Sequence, residues 1–190
     1  MQTIKGSSDL FTGNENVDMG LHAPSSSKKI LVAYFSHSGN TRVIAEQIKD
    51  ITGGEIFEIK PVKDYPSNYQ AVVAQAEKEI NANYKPQLKT EVENINTYDV
   101  FFIGSPNWWS SIAPPVASFL SGYDFLGKTI IPFITHEGSR MGRSVSDIKK
   151  LCPTASLIDE HSFRGSSVHS AQNEVYEWLR KIKLRIKEKL

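Results

Sequence analysis

The chain has 190 residues, a formal net charge of +1 and a hydrophobic content of 39%. These values are ordinary for one globular domain with a substantial core, and the near-neutral charge gives no indication of nucleic-acid binding. The single cysteine, Cys152, excludes an intrachain disulfide and a metal site built from several cysteines.

Residues 1–28 differ from the rest of the chain because glycine, serine, asparagine and aspartate recur there. We interpret them as an N-terminal extension or linker, and residues 29–190 as one domain. No segment reaches the roughly 20 apolar residues of a membrane span, and the N-terminus lacks the apolar core of a signal peptide. The expected location is the cytoplasm, although export is compatible with the sequence, and no membrane partner is expected.

From residue 29 onward, strand-like and helix-like patterns alternate along the chain. In chain order they predict a strand at 29–36, a helix at 40–52, a strand at 55–60, a helix at 68–81, a strand at 100–104, a helix at 114–121, a strand at 129–135, a helix at 141–150, a strand at 155–159 and a helix at 169–187. Five strands that alternate with helices predict an open parallel α/β sheet with helices on both faces.

Two local features refine this prediction. Pro132 lies within the fourth strand and has no N–H for the ladder, so we expect a bulge there. In the helix at 68–81, Val73, Ala76 and Ile80 have helical spacing and are expected to form the buried face.

The turn after the first strand carries the residues SHSGNT at 36–41 and leads directly into a helix. Backbone N–H groups at a helix N-terminus lack intrahelical partners and carry the positive end of the helix dipole, so this turn suits a phosphate. It matches neither the nucleotide P-loop nor the dinucleotide-binding glycine pattern. The alternative is a polar turn that only caps the helix.

Two further loops, at 105–112 and 135–142, leave strand ends at the same predicted edge, where open α/β sheets bind ligands. Trp108 and Trp109 suit stacking on a flat heterocycle; alternatively, one packs in the core and the other lies outside. His136 has three interpretations: a proton donor, a stacking group or a plain loop residue. No second histidine or carboxylate follows at ligand spacing, so we predict no metal site.

Together these motifs resemble the flavodoxin family of FMN-binding proteins, in particular its short-chain members. The matching segments are SHSGNT at 36–41, GSPNWWSSIAPPV at 104–116 and TIIPFITHEGSRMG at 129–142, within a resemblance that spans about 29–187. The resemblance implies a flavodoxin-like, doubly wound, five-stranded parallel sheet of order 2-1-3-4-5, with a short, uninterrupted fifth strand. It also implies FMN, bound noncovalently where the strand order reverses.

The resemblance further assigns residues to the parts of FMN. The phosphate would be held by Ser36, Ser38, Gly39, Asn40 and Thr41, with His37 supplying mainly its backbone. The isoalloxazine ring would be flanked by Pro106, Asn107, Trp108 and Trp109, with Ser105 near the ribityl chain. The other side of the flavin would be lined by His136, Glu137, Gly138, Ser139 and Gly142. No catalytic residue is assigned.

The implied function is electron transport through bound flavin, with a redox partner protein or a small electron donor or acceptor. The chain departs from electron-carrying flavodoxins because they are usually strongly acidic, whereas its net charge is +1. Asn107 stands where many members have a glycine beside the flavin, and asparagine tolerates a left-handed backbone. Two alternatives stay open: an NAD(P)H-dependent quinone or flavin reductase on the same fold, and a non-redox module that binds another phosphorylated ligand.

Overall fold

Alternating strands and helices make up the computed structural model, which describes residues 28–188 and side chains as far as residue 182. The strands are β1 (Ile30–Tyr34), β2 (Glu55–Glu58), β3 (Val100–Trp108), β4 (Ser111–Ile112), β5 (Thr129–His136), β6 (Ser156–Leu157) and β7 (His161–Arg164). The helices are α1 (Asn40–Thr52), α2 (Tyr69–Asn81), α3 (Pro114–Ser121), α4 (Ser144–Leu151) and α5 (Gln172–Glu188), with short 3-10 helices at Ile95–Thr97 and Gly165–Ser170. The predicted extension at 1–28 lies, apart from its last residue, outside the described residues. No helix of the described part is long and apolar enough to cross a membrane.

The parallel strands have the order β2-β1-β3-β5-β6, while β7 pairs with the second half of β5. The two-residue strand β4 is antiparallel to the end of β3. If β4 is left out and the five parallel strands are renumbered along the chain, their order is the predicted 2-1-3-4-5. The flavodoxin-like fold class is therefore confirmed. The strand order reverses between β1 and β3, so their carboxyl ends border the crevice where such sheets bind ligands.

Apolar side chains fill both faces of the sheet. One face packs against α3 and α4 through residues such as Phe119 and Ile148, and the other against α1 and α5 through Ile48 and Val175. Because the central strands are covered on both faces, they are apolar almost throughout. Cys152 is buried in the first of these cores, and burial raises the pKa of its thiol to about 11.

Strands β6 and β7 together form the edge of the sheet next to β5, and this edge is interrupted opposite Pro132. The carbonyl of Ile130 accepts a hydrogen bond from Ile158 N–H at 3.1 Å, so even-numbered residues of β5 face the edge strand. Pro132 faces the same way and has no N–H to donate. Pairing stops at Leu157 and resumes at His161, with one extra residue on the edge side. The prediction of an uninterrupted fifth strand is therefore wrong. The irregularity lies in the edge next to β5 and not in β5 itself, because the register of β5 with β3 is continuous.

Candidate functional site

A cavity of about 680 Å³ lies at the carboxyl ends of β1, β3 and β5, within the size range of small-molecule and cofactor sites. The three loops singled out in the sequence all contribute to its wall. The lining residues from these loops are His37, Ser38, Asn40, Pro106, Asn107, Trp108, Trp109, Ser110, Thr135, His136, Glu137, Gly138 and Ser139. The other predicted site residues do not line this cavity: they are Ser36, Gly39, Thr41, Ser105 and Gly142.

Helix α1 begins beside the cavity without a side-chain cap. Gly39 precedes it with φ 95°, and no side chain accepts a hydrogen bond from the first turn. A Cβ at this position would meet nothing within 4 Å, so glycine is required here by the backbone conformation. The hydroxyl of Ser36 accepts a hydrogen bond from Gly39 N–H at 3.1 Å and stabilises the turn. The N–H groups that begin α1 therefore offer an anion site.

Two residues that were predicted to contact FMN form hydrogen bonds with other parts of the protein through their hydroxyl groups. Thr41 is 1% exposed, and its hydroxyl oxygen lies 2.8 Å from that of Thr135. Ser105 is fully buried; its hydroxyl donates to the Pro106 carbonyl and accepts from Ala113 N–H, each at 2.8 Å. These bonds hold the ends of the strands in place. Contacts of Thr41 and Ser105 with bound FMN stay predictions.

The second and third loops are joined to each other by two hydrogen bonds. Asn107 donates from its side-chain amide to the Arg140 carbonyl at 2.7 Å, and Arg143 N–H donates to the Ser110 carbonyl at 2.7 Å. Gly142 has φ 53°, and a Cβ there would lie 2.5 Å from the Ser110 carbonyl oxygen. Gly142 therefore permits the close approach of the two loops, which fixes the width of the cavity between them.

The two tryptophans have different surroundings, although both line the cavity. Trp108 is half-buried, and its ring meets those of Phe35, His37 and Tyr65 edge-on, with centroids 4.9–5.9 Å apart. Trp109 is 47% exposed and has φ 49°. Its indole N–H donates to the carbonyl of Val73 at 3.0 Å. Trp108 is thus held by aromatic neighbours, whereas Trp109 attaches its loop to α2.

Helix α2 forms a wall of the site that the sequence reasoning missed. Its residues Tyr69, Val72, Val73 and Ala76 line the cavity. Val72 and Ala76 are its buried residues, so the expected buried face of Val73, Ala76 and Ile80 is partly wrong. The available signal was the spacing i, i+3, i+4, i+7 of the four lining residues, which marks one face of a helix.

Two buried polar atoms, one in the second loop and one in the third, lack partners among the described residues. Nδ1 of His136 and Oδ1 of Asn107 are buried and have no hydrogen-bond partner among the described residues. Burial lowers the pKa of His136, and Arg140 and Arg164 lower it further while Glu137 opposes them. The imidazole is therefore neutral at pH 7. Unpaired buried polar atoms at a cavity wall fit a site whose ligand supplies the missing partners.

Glu137 also lies close to the start of α1. A Cβ on Gly165 would be 2.3 Å from Oε1 of Glu137 and 2.4 Å from Nδ2 of Asn40. The carboxylate of Glu137 and the first residue of α1 therefore share the space that the glycine leaves open. This places one negative charge beside the uncapped end of the helix.

Comparisons with known proteins agree with this architecture. The chain matches the family described as Flavodoxin over residues 29–182. It is 32% identical to a candidate flavoprotein of Bacteroides eggerthii, covering 79% of this chain and 99% of that one, with a TM-score of 0.67. It is 26% identical to a Lactobacillus acidophilus flavoprotein crystallised in complex with FMN, covering 76% and 98%, with a TM-score of 0.63. A comparison with curated proteins finds no match.

Proposed function

The chain belongs to the flavodoxin family, and from this premise we propose that it carries electrons through FMN bound noncovalently in the large cavity. FMN is the cofactor supported by the family match and by the FMN-bound relative. The observation that carries the proposal is the convergence of three loops on one cavity beside the uncapped start of α1. Bound FMN supplies the electron-transfer chemistry, and the protein supplies binding and orientation.

The residues present fit both chemically distinct ends of FMN. The N–H groups at the start of α1 and the exposed hydroxyl of Ser38 suit a phosphate. Trp108 and Trp109 offer aromatic surface for a flat ring. The unpaired buried atoms of Asn107 and His136 suit a ring whose rim carries hydrogen-bond donors and acceptors.

Helix α2 and Trp109 shield the cavity from water on one side. The bond from the Trp109 indole to the Val73 carbonyl joins the second loop to the helix. The apolar side chains of Val72 and Ala76 face the cavity, so this wall offers packing without competing hydrogen bonds. Exclusion of water strengthens polar contacts made elsewhere in the site.

The experiment that tests the proposal is reconstitution of the purified protein with FMN. We expect the absorbance spectrum of bound flavin and quenching of flavin fluorescence, followed by reversible colour changes in an anaerobic reductive titration. Absence of a flavin spectrum after reconstitution would end the proposal. Steady-state oxidation of NADPH with a quinone acceptor separates a carrier from a reductase, because a carrier turns over slowly without its partner.

A reductase is the second candidate, and one observation favours it. A smaller cavity of about 350 Å³ adjoins the large one and shares His136 with it. A second space beside a flavin site suits a small molecule better than a docked protein surface, because pockets of this size enclose ligands.

A further inference from the structure

The smaller cavity lies at the carboxyl ends of β5 and β7. His136 belongs to the walls of both cavities, so a ligand in the smaller one lies next to the flavin site. Arg164 ends β7 and is the register partner of His136 across the sheet. Arg140 lies in the loop that follows β5, and both arginines line the smaller cavity.

The two arginines lack carboxylate partners. Neither Arg140 nor Arg164 forms an ion pair within the described side chains, whereas every other arginine there does. Those paired residues are Arg42 with Glu58, Arg143 with Asp147 and Arg180 with Glu177.

The one carboxylate that lines the smaller cavity is already engaged. Glu174 lies 2.8 Å from Nε2 of His161, in a hydrogen bond between two lining residues. Glu137, beside His136 in sequence, lines the larger cavity instead. Both guanidinium groups lie close enough to His136 to lower the pKa of its imidazole. Two guanidinium groups and one carboxylate therefore line one small space, so the arginines leave an excess of one positive charge there.

The backbone holds Arg140 in an unusual conformation. Its φ is 52°, in the left-handed region that a side chain such as arginine seldom adopts. The carbonyl of Arg140 accepts the 2.7 Å hydrogen bond from Asn107, which ties this residue to the tryptophan-bearing loop. Strain of this kind persists where the surrounding structure supports it, and such positions concentrate at ligand sites.

We propose that this arginine pocket, defined by Arg140 and Arg164, binds the anionic group of a small molecule whose remainder reaches the flavin. The anionic group is a carboxylate or a phosphate ester, since a guanidinium binds either through paired N–H donors. The proposal rests on the proposed function, because it assigns FMN to the larger cavity. It gives FMN in that cavity a class of electron donor or acceptor: small molecules that carry a negative charge.

Calorimetric titration of the FMN-loaded full chain with inorganic phosphate and, separately, with benzoate tests the proposal. In the loaded protein the phosphate of FMN occupies the proposed anion site at α1. Binding of phosphate or benzoate at the arginine pocket is therefore measured separately. We expect Arg140→Gln and Arg164→Gln each to weaken binding of the preferred probe about 10-fold or more, as loss of a charge-assisted hydrogen bond predicts. FMN affinity, measured by fluorescence quenching, is expected to stay unchanged.

Arg180→Gln is the matched control, because it removes an exposed arginine that is paired with Glu177 and lies outside both cavities. A preference for phosphate or for benzoate identifies the source of the anionic group. Binding of neither probe, or equal weakening by the control variant, would overturn the proposal. If FMN itself fails to bind, the proposed function falls, while arginine-dependent probe binding to the flavin-free protein still reports on the pocket.

Discussion

Removal of the Ser38 hydroxyl should weaken the binding of FMN and leave the binding of riboflavin unchanged. Ser38 lines the cavity one residue before Gly39, and its hydroxyl has no hydrogen-bond partner among the described residues. Riboflavin has the same ring and ribityl chain as FMN but no phosphate. A ligand pair of this kind therefore isolates the contribution of the phosphate contacts that we propose at the start of α1.

The size of the effect follows from the charge of the phosphate and the exposure of the serine. A hydrogen bond to a charged group contributes about 1.5–3 kcal/mol, and an exposed site belongs at the lower end of that range. We therefore expect Ser38→Ala to raise the dissociation constant for FMN about 10-fold.

Quenching of flavin fluorescence, titrated with both ligands, provides the assay. Ser118→Ala is the control because it removes a serine hydroxyl on α3 that donates to the Pro114 carbonyl at 3.2 Å. Equal weakening of FMN and riboflavin by Ser38→Ala, or an unchanged affinity for FMN, would refute our placement of the phosphate.

Three further predictions concern the groups around the site. Thr41→Val leaves the buried hydroxyl of Thr135 without its partner, so the free energy of unfolding in urea should fall by about 1–3 kcal/mol, and adding Thr135→Val should restore part of it. Gly104→Ala would place a Cβ 2.2 Å from a phenylalanine ring atom and should lower the free energy of unfolding by about 1–3 kcal/mol, whereas Gly122→Ala, with its nearest contact at 3.5 Å, should cost less in the same denaturation assay. Burial lowers the pKa of His136 in the folded protein below the 6.5 of an unfolded chain. As the pH drops through 6.5, the unfolded chain therefore binds more protons than the folded protein, and the melting temperature should fall until the pH passes the folded pKa. His136→Gln should flatten this dependence.

Each of these predictions has a contradicting result. Additive losses at Thr41 and Thr135 would mean that their hydroxyls do not act as a pair. Equal losses at Gly104 and Gly122 would show that steric contact with the core does not decide the cost. An unchanged slope of melting temperature against pH in the His136 variant would place the titrating group elsewhere.

The sequence predicts most elements of the sheet correctly because local signals mark their ends. Helix α1 is predicted at 40–52 and found at Asn40–Thr52. Gly53 ends it with φ 70°, and its N–H donates to the Lys49 carbonyl at 2.8 Å. Glycine at this position is a strong stop signal, because few other residues adopt a left-handed backbone without strain.

Features that depend on the neighbours of a residue in the folded protein are harder to predict than the ends of helices. The absence of an N–H at Pro132 is visible in the sequence, but the side toward which it points depends on the pairing of β5 with its two neighbours. In the same way, helical spacing predicts an apolar face on α2 without revealing what that face covers. Val72 and Ala76 are buried against the cavity rather than in either core of the sheet. A helix over a binding site and a helix over a core therefore share one sequence pattern.

Charge at the site bears on the kind of redox partner that we propose for the protein. A net charge of +1 provides little long-range attraction for an oppositely charged protein. The unpaired Arg140 and Arg164 concentrate positive charge beside the larger cavity, where it acts at short range. Binding of a small anion there should weaken as salt is added, because salt screens such exposed charges. Association with a protein partner that does not use this pocket should depend much less on salt, so ionic strength would separate the two proposed modes of electron exchange.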